Sequence, residues 1–98
     1  MVIVWSHPAR EDLKSIHDYI ARDSKRYASR VVQDIRDKTK VLPDFPLLGK
    51  VVAEIGEDNL REISLYSYRI LYEVMPNAIY IHGVVHMRRN FKVDDLQR

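Results

Sequence analysis

Five cations, Arg61, Arg69, His86, Arg88 and Arg89, are set into runs of Ile, Val, Leu and Tyr between residues 60 and 89. Cleavage of RNA by its own 2′-hydroxyl needs a base at that oxygen, an acid at the leaving oxygen and cations on the phosphate. On an extended chain residues two apart share a face, so His86 and Arg88 together offer a proton donor and a phosphate-binding cation. Glu62 or His86 has the chemistry of a base. No two of these groups, however, are spaced so as to demand catalysis. Arg69 also has a purely architectural alternative, a salt bridge across the sheet to Glu62 or Glu73.

Metal binding fails on geometry. His82 and His86 look like an H-x3-H pair, but four residues along a strand span roughly 13 Å. Zinc ligands sit about 2 Å from the ion, so these two cannot share one. His7 and His17 fall at opposite ends of a helical segment. Tyr66, Tyr68, Tyr72 and Tyr80 crowd the central strands and with nearby arginines could stack bases, yet aromatics on paired strands usually pack on each other. Tyr68 and Tyr72 fall on the core parity, as Trp5 is expected to; Tyr66 and Tyr80 are freer.

The remaining composition narrows the classes. A chain of 98 residues with 46% apolar content and three glycines predicts one domain, 1–98, with one modest core. The absence of cysteine excludes disulfides, thiol catalysis and cysteine-ligated zinc. The leading MVIVW is too short for a signal peptide, and no apolar run approaches the roughly 20 residues of a membrane span. A cytoplasmic protein without membrane association is the default expectation. Sixteen basic against fourteen acidic residues leave too small a surplus to imply nucleic-acid binding. Distribution is more telling: HMRRNFK at 86–92 has no acid, whereas Glu54, Glu57 and Asp58 cluster upstream.

These groups need a scaffold. Val2–Trp5 reads as a strand, inside the sheet or at its edge. Ser6 or His7 then caps a helix with Pro8 in its first turn, and Ala9, Leu13, Ile16 and Ile20 form one helical stripe. Glu11 and Asp12, early in that helix, suit the positive end of its dipole. Asp23-Ser24 breaks it and caps a second helix, whose stripe Ala28, Val31, Val32, Ile35, Thr39 and Leu42 runs to Pro43. So short a link makes a helical hairpin, whose stripes require a flat apolar partner. After the loop Pro43–Gly49, strands are predicted over Lys50–Ile55, Leu60–Leu65, Tyr68–Met75 and Ile79–Met87.

Strict alternation assigns the faces. Tyr68, Ile70, Tyr72 and Val74 oppose Arg69, Leu71 and Glu73; Ile79, Ile81, Gly83, Val85 and Met87 oppose Tyr80, His82, Val84, His86 and Arg88. One face is thus apolar, for the helices. The other is polar yet carries Leu71, Tyr80 and Val84, an odd mixture for plain solvent and a candidate binding surface.

The order WSHPAREDLKSIHDYIARDS, PLLGK, LREI, YRILYEV, VVHMRR resembles the ParE branch of the ParE/RelE toxin superfamily of type II toxin–antitoxin modules, from Trp5 to Arg89. The resemblance implies an α+β fold, β-α-α-β-β-β(-β), with a helical hairpin on one face of a twisted antiparallel sheet. It implies a toxin neutralised by a cognate, ParD-like antitoxin. RelE-like members cut mRNA on the ribosome, whereas characterised ParE-like members poison DNA gyrase without hydrolysis. Arg69 matches the arginine of the family's Y-R-I/L motif, which serves the phosphate in the interferases; a nuclease here would use Arg69, His86 and Arg88.

Two departures weigh against a nuclease. The interferases' additional loop lysines are reduced to Lys50, and the tail NFKVDDLQR lacks their tyrosine. The expectation is therefore a gyrase-binding toxin with no cofactor and no metal. Its target contacts would come from Arg61, Arg69, His86, Arg88, Arg89, Phe91 and Lys92, and its antitoxin contacts from Leu71, Tyr80 and Val84. The alternatives are a ribosome-dependent endoribonuclease and a non-toxic interaction module.

Overall fold

The computed structural model describes residues 1–88. In chain order it forms β1 (Val2–Trp5), α1 (His7–Ala21), α2 (Lys25–Lys38), a 3-10 turn (Thr39–Val41), β2 (Lys50–Val51), β3 (Leu60–Leu65), β4 (Tyr68–Met75) and β5 (Ala78–His86). The strands make one five-stranded sheet in the order β1-β5-β4-β3-β2, α+β in class, with the helical hairpin on one face. β2, β3, β4 and β5 pair antiparallel, but β1 runs parallel to β5, so the sheet is mixed. The two helices between β1 and the later strands allow this, because a parallel neighbour requires a crossover.

Both helices begin where capping chemistry places them. The Ser6 hydroxyl accepts from the Ala9 amide at 3.1 Å, and the Ser24 hydroxyl from the Tyr27 amide at 3.1 Å. Each satisfies a first-turn N–H that has no partner within its helix. The stripes Ala9, Leu13, Ile16 and Val31, Ile35, Leu42 join Ile63, Ile70, Tyr72, Ile79, Ile81 and Val84 in one buried cluster. Burial of each large aliphatic there contributes about 2 kcal/mol. Trp5 packs at its margin, half-buried, with the Arg36 guanidinium 5.1 Å from its ring centre.

Three expectations are corrected. β2 ends at Val51, not Ile55: the chain turns after Val52, with the Gly56 amide donating to the Val52 carbonyl at 2.8 Å and Gly56 at φ +74°. The turn folds Val52 and Ile55 onto Leu71 and Val85, a second small cluster on the face away from the helices. Glu11 and Asp12 lie beyond the first turn of α1, and Asp12 serves the sheet instead.

The third correction concerns β5. Leu71 pairs with Gly83 and Tyr72 with Ile81, so His82 has no residue opposite it. This β-bulge reverses the alternation for everything that follows. Val84 therefore falls on the helix side, 4% exposed within the main core, and Val85 on the far side. α1 secures the irregularity: the Ser6 hydroxyl donates to the His82 carbonyl at 3.2 Å, and Asp12 Oδ2 accepts from the Val84 amide at 2.9 Å.

Candidate interaction surfaces

Arg69 stands on the face away from the helices, opposite Val85. Its Nη1 and Nη2 donate to the two carboxylate oxygens of Glu54 at 2.8 and 2.9 Å, and its Nε to Glu62 at 3.1 Å. Nη2 also makes a close contact with Glu62. Fork-to-fork pairing of this kind is the strong form of the arginine–carboxylate contact. The side chains of Arg69 and Glu62 are only 13% and 5% exposed. The Arg69 hydrogen bond holds the Glu54 carboxyl below its usual range. Lys50 Nζ adds a longer contact of 3.8 Å to Glu62. Two cations against two carboxylates leave no surplus positive charge to receive a phosphate.

His86 is elsewhere. It pairs with Tyr68, one position from Arg69 on β4, and therefore projects from the helix side of the sheet. Its ring meets Tyr68 edge-on at 5.8 Å, and its Nδ1 accepts from the Arg88 amide at 3.1 Å. The bulge thus separates Arg69 from His86 by the thickness of the sheet. Strict alternation had put them on one face. Nothing in the sequence marks the change, since His82 is an ordinary strand residue until its register is known.

Arg61 is occupied by the fold. Its guanidinium donates to the Asp58 carbonyl and carboxylate, each at 2.9 Å, and to the Gly49 carbonyl at 2.8 Å. Leu71 is 3% exposed and Val84 4%, so of the three apolar groups expected to meet an antitoxin only Tyr80 retains surface. Tyr80 leans on His82, ring centres 5.2 Å apart, and His82 Nε2 lies 2.8 Å from Glu73 Oε1. His86 and Arg88 are exposed; Arg89, Phe91, Lys92 and the rest of the tail lie outside the described residues. No cluster of three metal-ligating side chains, and no helix long and apolar enough to cross a membrane, occurs among the described residues.

An accessible apolar groove of about 630 Å³ lies between the turn end of the helical hairpin and the β3–β4 turn. Tyr19 and Ile20 close α1, Tyr27 and Val31 begin α2, and Tyr66, Tyr68 and His86 form the sheet wall. Tyr19 and Tyr27 are 69% and 52% exposed. The Tyr66 hydroxyl donates to Asp34, tying the turn to α2, and Tyr66 takes the left-handed φ of +53°. Burial pushes the Tyr68 phenol up. Tyr19 and Tyr27 lie off the core stripes on either side of the interhelical turn; that placement was the available clue, and only the β3–β4 turn makes a groove of it.

Comparison with known proteins agrees with this architecture. The family described as "ParE toxin of type II toxin-antitoxin system, parDE" matches residues 3–91. No curated protein matches. A chain of the solved structure titled "Chromosomal ParDE TA system from P. aeruginosa" superposes with a TM-score of 0.76 at 23% identity, covering 90% of this chain and 97% of that one. At that identity the likeness speaks for the fold.

Proposed function

We infer the function from one premise: the chain belongs to the ParE toxin family of type II toxin–antitoxin systems. On that basis it acts by binding a protein target, with DNA gyrase as the target, and a ParD-like antitoxin neutralises it. The observation that carries the binding mode is the division of Arg69 and His86 between the two faces of the sheet. General acid catalysis and phosphate neutralisation must act on one scissile bond within hydrogen-bond reach. An arginine shared by two carboxylates on one face and a histidine on the other do not meet that requirement.

The tyrosine groove supports the antitoxin half of the reading. It is open, apolar at its base and rimmed by hydroxyl and imidazole groups, which suits the apolar face of an amphipathic segment. His86 forms part of its wall and Arg88 follows directly, so an occupant would also cover these two exposed target-contact candidates. Neutralisation would then be occlusion. Neither step calls for a metal or cofactor, and a cytoplasmic site of action fits both partners.

The test is direct. Purified protein incubated with supercoiled plasmid should leave cleaved DNA only when gyrase is present, and translating ribosomes should retain intact mRNA. Ribosome-dependent mRNA cleavage that disappears in Arg69→Ala would overturn the reading in favour of an interferase.

A further inference from the structure

The loop from Pro43 to Gly49 carries Phe45, Leu47 and Leu48 at 61%, 59% and 58% exposure. Single exposed apolar residues are ordinary, but three within four positions form a patch. A mobile loop could fold such side chains away. This one is held. The Tyr72 hydroxyl donates to the Pro46 carbonyl at 2.7 Å and accepts from the Gly49 amide at 2.9 Å. Arg61 Nη1 bonds the Gly49 carbonyl at 2.8 Å and reaches the Leu47 carbonyl at 3.4 Å. The Leu48 amide closes onto the Phe45 carbonyl at 3.1 Å. Gly49 is wedged so tightly that a Cβ would stand 2.4 Å from the Glu62 carbonyl oxygen. A fully buried tyrosine and a nearly buried arginine therefore hold three large apolar side chains in solvent.

We propose that this loop is a preorganised apolar knuckle that inserts into an apolar pocket on the folded protein target; the proposal rests on the binding mode inferred above. Shape selects the occupant. A convex, fixed projection needs a concave partner, whereas a flexible antitoxin segment needs a trough, which the tyrosine groove already supplies. The three side chains present roughly 300 Å², well below the roughly 800 Å² per partner of a stable pair, so they act as the anchor of a larger contact. Rigidity lowers the ordering cost of binding. A second copy is a poor occupant. Two knuckles meeting about a two-fold axis would bury only their own roughly 300 Å² a side, well short of the roughly 800 Å² a stable pair needs. A knuckle set into the tyrosine groove of the next copy would propagate head-to-tail. The groove reaches along α2 as far as Val31, while the knuckle follows the end of that helix at Lys38, about 10 Å further along the axis. An antitoxin seated in the groove would leave the knuckle uncovered.

Binding of the full chain to purified DNA gyrase tests this. The combined change Phe45→Ser, Leu47→Ser and Leu48→Ser should weaken the complex at least tenfold, while Leu47→Met with Leu48→Met binds as the parent does. Thermal midpoints should be unchanged; should the triple change misfold, the single changes Leu47→Ser and Leu48→Ser carry the same comparison. Parent-like gyrase binding by the serine variants overturns the knuckle and leaves the gyrase reading standing. A parent chain that fails to bind gyrase overturns that reading and the knuckle with it. Loss of self-association or of antitoxin binding, with gyrase binding intact, assigns the loop to those partners and also overturns the proposal.

Discussion

Arg69 and His86 lie on opposite faces of the β4–β5 ladder, Arg69 opposite Val85 and His86 opposite Tyr68. One additional residue in β5 produces this arrangement, and the fold invests hydrogen bonds from α1 in maintaining it. The would-be phosphate ligand is consequently an internal brace, linking the β2–β3 turn through Glu54 to the centre of the sheet through Glu62. The described surface keeps two accessible apolar features, a tyrosine-lined groove beside the first half of α2 and a fixed apolar loop beyond its end.

Removing the brace should be costly. Arg69→Ala leaves Glu62, 5% exposed, with only the longer Lys50 contact of 3.8 Å against its charge. The expected loss is about 3 kcal/mol in urea unfolding. Pairing it with Glu62→Leu should recover much of that loss, since the buried charge disappears with its partner. Equal losses in the single and double variants would show that the ion pair is not the cause.

The same brace sets an acid limit. Because the Arg69 hydrogen bond depresses the Glu54 pKa below its ordinary 4.5, the unfolded chain takes up this proton first as pH falls. The contribution is fully present above pH 4.5 and fades below it, disappearing once pH passes under the folded value. Denaturation midpoints recorded from pH 6 down to pH 3 should therefore fall less steeply in Glu54→Gln than in the parent over that acid window.

Ser6 serves two structures at once, capping α1 and holding the bulge carbonyl of His82. Ser6→Ala should cost about 1–2 kcal/mol by thermal or urea unfolding, more than a helix cap removed from an exposed site. Ser24→Ala, which removes a cap alone, is the matched control and should cost about 1 kcal/mol.

The groove can be tested without disturbing the core. Tyr19 and Tyr27 are mostly in solvent, so Tyr19→Glu with Tyr27→Glu should leave the melting temperature within about 2 °C of the parent. Calorimetric titration with the antitoxin should nonetheless show at least a tenfold loss of affinity. Unchanged affinity would move the antitoxin to another surface.

Helix starts at Ser6 and Ser24, both apolar stripes, and the extents of β3 and β4 were legible because each is written locally, in capping side chains and in periods of 3.6 and 2. The order of family motifs was legible for the same reason. Three decisions belonged to the tertiary structure. Val52 and Ile55 continue a strand-like pattern but turn under the sheet, because Leu71 and Val85 offer them burial there. His82 becomes a bulge because Ser6 and Asp12, more than sixty residues away, satisfy the displaced backbone groups. The loop holding Phe45, Leu47 and Leu48 is fixed by Tyr72 and Arg61 from other strands. Periodicity records which side chains prefer burial. Where the register slips, and hence which face a cation finally occupies, is set by hydrogen bonds between segments distant in the chain.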